Sequence, residues 1–112
     1  MTFLEAQQRF MQMLGKLIDW CYLNGYQLTA GEAYRTPEQA EWNEAHGKGI
    51  KNTLHTQRLA IDLHLFKGRQ YLTEVEDVLP MGEFWETMGG SWGGRFDKPD
   101  TDHFSLAWKG VR

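Results

Sequence analysis

The sequence has few of the residues that would point to several common protein classes. It contains one cysteine, Cys21, in 112 residues, which excludes an intramolecular disulfide framework and a structural zinc site made of cysteines. Positive charge is not in excess, since the formal net charge is -3. The N-terminus lacks the basic start and apolar run of a secretory signal, and no stretch is long enough to span a membrane. We therefore expect no nucleic-acid partner and no membrane anchor.

Length and composition predict one folded domain. A chain of 112 residues can bury one hydrophobic core. Its 41% hydrophobic and 24% charged residues are ordinary for a globular protein, and 13% aromatic residues argue against disorder. We expect residues 1–112 to form a single catalytic domain that acts as a monomer.

Helical periodicity and capping signals predict three helical regions. Apolar residues recur at helical spacing over residues 3–23, behind a capping box that begins at Thr2. A Thr-Pro pair predicts the start of a second, short helix within residues 36–46. A third region opens at Thr73 and contains Pro80, so two short helices or one kinked helix fit it equally well.

Two segments alternate between apolar and polar positions, as half-buried strands do. Residues 59–65 place Leu and Ile at the odd positions, with Asp62 and His64 on the other face. Residues 103–108 repeat the pattern, with His103 among small residues. If the two strands are antiparallel neighbours, Asp62 and His103 approach to about 5 Å. We expect an α+β protein with helices packed on a small antiparallel sheet.

Three residues supply the donors that a catalytic zinc site needs. His55, Asp62 and His103 offer two imidazoles and one carboxylate, which suit Zn²⁺ better than magnesium or calcium. His55 follows a glycine-containing stretch, residues 47–52, that predicts an exposed loop. Spacing alone fits a surface histidine, a solvated carboxylate and a hydrogen-bonded sheet histidine equally well. His64 shares a strand face with Asp62 and is a candidate to replace or support a ligand.

Other hydrolase classes lack their signatures in this sequence. Cys21 lies on the apolar stripe of the first helix, where an activated thiolate is not expected. The metalloprotease signature His-Glu-x-x-His and the zinc deaminase signature Pro-Cys-x-x-Cys are both absent. Neither a cysteine hydrolase nor these two zinc classes is therefore indicated.

Three segments resemble one family of zinc peptidases. Residues 53–62, Thr-Leu-His-Thr-Gln-Arg-Leu-Ala-Ile-Asp, resemble the Ser-x-His-x-x-Gly-x-Ala-x-Asp motif of the D-alanyl-D-alanine carboxypeptidase and phage L-alanyl-D-glutamate endopeptidase family. Residues 100–104, Asp-Thr-Asp-His-Phe, resemble its acidic-x-x-His ending. Arg35 with Thr36 and Gln39 is similar to its upstream Arg-Ser/Thr-x-x-x-Gln element. The three segments follow the family's order over roughly two-thirds of the chain.

The resemblance implies a site and a fold. In the family's pattern His55, Asp62 and His103 hold zinc, Asp100 is the general base, and Arg35 contacts the substrate. The guanidinium of Arg35 suits either the developing oxyanion or a carboxylate or carbonyl of the substrate. The fold implied is that of the Hedgehog and DD-peptidase proteins.

Additional substrate contacts are expected at Gln39, Arg58 and Trp92. Arg58 stands where the family usually has glycine, so we expect it to narrow or recharge the cleft. Trp92 belongs to the glycine-rich residues 91–96, which follow a helix and therefore predict a tight lining of the cleft rather than a phosphate loop.

These patterns and the resemblance together predict a zinc-dependent peptidase that hydrolyses peptidoglycan peptides. We expect an L-alanyl-D-glutamate endopeptidase of a phage or prophage, that is, an endolysin. The alternatives are a D-alanyl-D-alanine carboxypeptidase or dipeptidase, and a non-catalytic cell-wall-binding or phage structural module. Without a signal peptide, the chain is expected to be made in the host cytoplasm and to reach the cell wall after release by a separate pore-forming protein.

Overall fold

The computed structural model describes residues 1–49 and 53–112, so the last three residues of the predicted exposed loop lie outside the described residues. Within the described ranges, three helices lie with a five-stranded antiparallel sheet, which confirms the α+β class. None of the helices in these ranges is long and apolar enough to cross a membrane. The elements are α1 (Phe3–Leu23), β1 (Gln27–Ala30), α2 (Pro37–Ala45), β2 (Ala60–Lys67), β3 (Gln70–Leu72), α3 (Val75–Thr87), β4 (Ser91–Trp92) and β5 (His103–Ser105).

The helix starts follow from local capping. At the start of α1, the Glu5 N–H donates to the Thr2 hydroxyl at 3.1 Å and the Thr2 N–H donates to the Glu5 carboxylate at 2.8 Å, so the predicted capping box is confirmed. Thr36 caps α2 in the predicted way. The third region is one helix that contains Pro80 and begins after Glu74, one residue later than the predicted cap.

Strand β2 is the centre of the sheet. It pairs with β1 along one edge and with β3 and β5 along the other, and β4 adds to β5. The β2–β5 pairing places Asp62 directly opposite His103, as the alternation predicted. Strand β3 was not predicted; it pairs with β2 as a hairpin through the turn at Gly68.

Strand β5 is shorter than predicted, because the chain that precedes its partner strand β2 bends away from the sheet. The Leu106 N–H donates to the Leu59 carbonyl at 2.9 Å, just beyond the last strand pair. The residue before Leu59, Arg58, has a φ of 57°, which bends the chain out of the sheet direction. Trp108 therefore forms an isolated bridge with Val111 instead of extending β5.

The core lies on the face of β2 formed by Ile61, Leu63 and Leu65, which join one cluster with the buried stripe of α1 and with α3. Phe104 and Trp85 are fully buried in the same cluster. Because successive side chains of a strand point to opposite faces, the packing of this face fixes which residues project away from the core. Asp62 projects from that opposite face into the candidate site.

Candidate metal centre

His55, Asp62 and His103 converge at one point. One ligand atom from each lies within 4.8 Å of the others. Asp62 comes from the centre of β2 and His103 from the facing position of β5. His55 comes from a 3-10 turn, Leu54–Gln57, where its N–H donates to the Thr53 hydroxyl at 3.3 Å. Two paired strands and a capped turn thus present the three side chains.

The His55 ring is oriented by the backbone. Its Nδ1 lies 3.2 Å from the Ala33 carbonyl oxygen, an acceptor, so Nδ1 carries the proton that is donated. The other ring nitrogen, Nε2, lies 3.4 Å from Asp62 Oδ1. Burial alone lowers the pKa of His55, but the Asp62 carboxylate and the Ala33 carbonyl outweigh it and raise the pKa above the ordinary value.

The His103 ring is oriented by a hydroxyl. Its Nε2 lies 2.9 Å from Ser105 Oγ, and the Ser105 hydroxyl donates to the Ser91 carbonyl oxygen at 3.4 Å. Ser105 Oγ therefore accepts a hydrogen bond from the Nε2–H group, and the lone pair of Nδ1 remains free to bind a metal ion. Burial, with help from the nearby His55, lowers the pKa of His103 to about 4, so the ring is neutral at ordinary pH.

The three side chains fit a zinc ion. Asp62 Oδ1 is buried, and no donor in the described part of the chain satisfies it with hydrogen-bond geometry. A buried carboxylate oxygen without a donor needs a positive partner. Each histidine has one nitrogen committed to an acceptor outside the cluster, which is how zinc-binding histidines are usually held. Two imidazoles and one carboxylate form a usual catalytic zinc set.

Asp100 lies in the same cleft as the three candidate ligands and Arg35. The cleft holds about 260 Å³. Asp100 is accessible to solvent at its mouth, yet partial desolvation of the carboxyl, together with the charges of Asp62 and Asp102, raises its pKa. Gly93 makes this position possible, because a Cβ there would lie 2.2 Å from the Asp100 carbonyl oxygen. The glycine-rich stretch therefore permits the close packing of the loop that carries Asp100.

Arg35 is positioned beside His55. Its N–H donates to the His55 carbonyl oxygen at 3.1 Å, and its guanidinium forms an ion pair with Glu32. Glu32 Oε1 in turn lies 3.8 Å from His55 Nδ1. The structure thus brings Arg35 into the cleft, as the sequence predicted.

Asp102 and His64 stand apart from the three ligands. The Asp102 carboxylate lies 2.8 Å from His64 Nδ1 and also accepts a hydrogen bond from the Tyr71 hydroxyl. Burial and the Asp102 carboxylate raise the pKa of Tyr71 to about 12. These contacts tie β2, β3 and the start of β5 together, so His64 supports the sheet next to the site.

Gln39 and Trp92 lie outside the cleft. Gln39 is exposed on α2, where its side chain donates to Asn43 at 2.7 Å. Trp92 is only 1% exposed, and its indole N–H donates to the Thr101 carbonyl oxygen at 2.9 Å. The expected substrate contact at Trp92 is therefore corrected to a packing role: its ring supports the segment that leads to His103.

Arg58 also lies away from the cleft, which corrects the expectation that it narrows the site. Its guanidinium stacks 4.0 Å from the centre of the Tyr34 ring, beside an apolar surface pocket that it shares with Phe10 and Met11. Its φ of 57° is in the left-handed region. Glycine at this position of the family motif therefore reflects a backbone requirement, which Arg58 meets with strain.

Several residues at or beside the cleft were not predicted from the sequence. Ser105 holds His103, and a signal for it existed, because it lies two positions further along the same strand face. Lys48 and Arg112 line the cleft, together with Phe96 from the stretch that was predicted to line it. Lys48 and Arg112 come from segments far apart in the chain, and no local pattern connects them.

The comparisons with known proteins agree with this geometry. Residues 46–106, more than half of the chain, match the profile of the family described as D-alanyl-D-alanine carboxypeptidase. None of the curated proteins matches. Among solved structures, the Serratia marcescens L-Ala D-Glu endopeptidase ChiX is similar, with a TM-score of 0.72 and 13% sequence identity over 88% of this chain and 77% of that chain. At this identity the likeness shows the fold. The chain belongs to the D-alanyl-D-alanine carboxypeptidase family of peptidases.

Proposed function

We propose that the chain is a zinc-dependent peptidase that hydrolyses peptidoglycan peptides at the L-alanyl-D-glutamate bond. The observation that carries the proposal is the convergence of His55, Asp62 and His103 in one cleft with Asp100 and Arg35. Membership of a peptidase family supports hydrolysis of a peptide bond. The choice of bond is supported by the similar fold of the Serratia endopeptidase.

The chemistry is divided between the metal and the side chains of the cleft. Zinc held at this site would lower the pKa of a coordinated water toward about 7 and polarise the scissile carbonyl. Asp100 takes a proton from the attacking water, whose oxygen bonds to the carbonyl carbon. When the C–N bond breaks, Asp100 passes that proton to the leaving nitrogen. A raised carboxyl pKa suits this double role, because the group must both accept and release the proton.

Arg35 is the proposed partner of the substrate carbonyl oxygen. Its guanidinium lines the cleft and is ion-paired with Glu32, whose carboxylate also lies near His55. As negative charge develops on the carbonyl oxygen, a fixed cation stabilises it more than it stabilises the neutral substrate.

A second candidate is removal of a terminal D-alanine, which the description of the matched family favours. It uses the same residues and differs only in the bond that is cut. Loss of a single alanine from the peptide, instead of cleavage next to D-glutamate, would identify it.

The experiment is digestion of purified peptidoglycan followed by mass spectrometry of the released fragments. Zinc-loaded parent, chelated parent, Asp100→Asn and Asp97→Asn are compared. Asp97 is an exposed carboxylate of the same loop and does not line the cleft, so its variant is the matched control. We expect fragments from the loaded parent and from Asp97→Asn only. If folded, zinc-loaded parent releases nothing, peptidoglycan hydrolysis is rejected and a wall-binding or structural role replaces it.

The proposed place of action is the bacterial cell wall, where such peptides occur. One catalytic domain over residues 1–112 is part of the proposal, supported by the packing of α1 on the sheet that carries Asp62 and His103. The phage origin and the monomeric state stay predictions.

A further inference from the structure

The cleft is lined by three cations although the chain as a whole is acidic, with a formal net charge of -3. Arg35 is ion-paired with Glu32. The other two, Lys48 and Arg112, form no ion pair with a carboxylate within residues 1–49 and 53–112. Two exposed side chains therefore bring positive charge that is not held in ion pairs to the cleft.

Both free cations lie against aromatic rings. Lys48 Nζ is 5.0 Å from the centre of the Trp42 ring, and Arg112 Cζ is 5.0 Å from the centre of the Phe96 ring. A cation–π contact restrains a long side chain without removing its formal charge. The two groups are thus held at the cleft and remain able to pair with an anion.

Phe96 places Arg112 close to the reacting centre. The Phe96 ring lies 5.2 Å from the His103 ring on one side and 5.0 Å from the Arg112 guanidinium on another. One extended residue spans roughly 3.3–3.6 Å. A carboxylate on a residue that adjoins the bond held at the metal site therefore faces the side of the cleft that Arg112 lines.

Lys48 enters the cleft on the Arg35 side. It precedes Gly49, where a Cβ would lie 3.8 Å from Arg35 Nη1. Lys48 and Arg112 thus approach from different segments, one beside Arg35 and one beside His103.

We propose that Lys48 and Arg112 select peptides that carry a free carboxylate next to the cut bond, such as the α-carboxylate of a γ-linked D-glutamate. The inference rests on the proposed function and names the substrate class of the same site. A carboxylate accepts charge-assisted hydrogen bonds from both cations. The corresponding amide has only a neutral acceptor, and its own N–H groups would face the N–H donors of Lys48 and Arg112. Lys48 and Arg112 are thus specificity-determining residues, distinct from the groups that carry out the hydrolysis.

The test compares two synthetic peptides that differ only in one group: L-alanyl-γ-D-glutamyl-lysine with the α-carboxylate of the D-glutamate free or amidated. Steady-state kinetics are measured for the zinc-loaded parent, Lys48→Gln, Arg112→Gln and Lys16→Gln. Lys16 is exposed on α1 and does not line the cleft, which makes its variant the matched control. We expect Lys48→Gln and Arg112→Gln each to raise KM for the free acid by about three- to tenfold. KM for the amide should not change, and Lys16→Gln should change neither.

A second measurement does not depend on turnover. Zinc-loaded Asp100→Asn, alone or combined with Arg112→Gln, is titrated with both peptides by calorimetry. Tighter binding of the acid that disappears with Arg112→Gln supports the inference. Equal binding of acid and amide overturns it, even if hydrolysis is confirmed. If the parent cuts neither peptide, the proposed function fails on these substrates, while the calorimetric ratio still decides whether the cleft selects a carboxylate.

Discussion

Substitution of Ser105 perturbs the candidate metal centre through a single hydroxyl group. Ser105 is fully buried, and its Oγ lies 2.9 Å from His103 Nε2. Ser105→Ala removes the acceptor of that N–H. The space that the hydroxyl leaves is too small for a water molecule to take its place as the acceptor. An unsatisfied buried donor costs about 1–3 kcal/mol. The His103 ring can relieve this cost by turning, which moves its Nδ1 away from His55 and Asp62, or by shifting its proton to Nδ1, and both changes oppose metal binding through Nδ1. We therefore expect zinc affinity to fall by about 10- to 100-fold.

The assay is competition for zinc with a chromophoric chelator, combined with urea unfolding of the metal-free protein. Ser91→Ala is the matched control, because it removes a hydroxyl from the neighbouring strand but keeps the Ser91 carbonyl that Ser105 uses. Nitrogen NMR of the metal-free parent should show His103 protonated at Nε2. If Ser105→Ala binds zinc within about twofold of the parent, less than 0.5 kcal/mol, the proposed role of the hydroxyl is refuted.

Three further predictions concern stability and reactivity. A Cβ at Gly82 in α3 would lie 2.2 Å from the Trp92 ring, so Gly82→Ala should destabilise the protein by about 1–2 kcal/mol despite a better helix propensity. A Cβ at Gly15 would lie in open space, so Gly15→Ala should stabilise the protein by about 0.5–1 kcal/mol. Urea unfolding measures both changes in the free energy of unfolding. Burial raises the pKa of Cys21 from 9.0 to about 12, so iodoacetamide should label it only in denaturant, by mass spectrometry. Because the folded pKa is the higher one, stability should also fall as the pH rises from about 9 to about 12. At Arg58, with its φ of 57°, glycine should keep or raise the urea midpoint, whereas valine should lower stability by about 1–2 kcal/mol.

Short-range alternation allowed Asp62 and His103 to be placed on corresponding strand faces, and their pairing to be expected on the condition that the two strands are antiparallel neighbours. Each strand has one apolar face, and burial of both apolar faces leaves little freedom in the register. In the structure Ile61 lies opposite Phe104, and the adjacent pair is Asp62 and His103. His55 has no such periodicity, since it lies on a 3-10 turn. Its place beside the other two was indicated only by the family resemblance.

The roles of Arg58 and Trp92 could not be predicted from side-chain type. Arg58 is defined by its backbone angle, which a pattern of charges and apolar residues does not report. Trp92 lies in a glycine-rich stretch that predicted a lining of the cleft, yet the nearby Gly82 and Gly94 leave space that its buried ring fills. Tertiary packing determines both positions. It also brings Lys48 and Arg112, which are far apart in the chain, to the same cleft.

Strand β2 couples the core to the candidate site. Ile61 and Leu63 are buried in the core on either side of Asp62, so the same pairing that packs the core also sets the position of the carboxylate. A slip of one residue would place His103 opposite an apolar side chain and expose the apolar face, which costs far more than a single ligand contact. The placement of Asp62 opposite His103 is therefore a consequence of core packing on the other face of the same two strands.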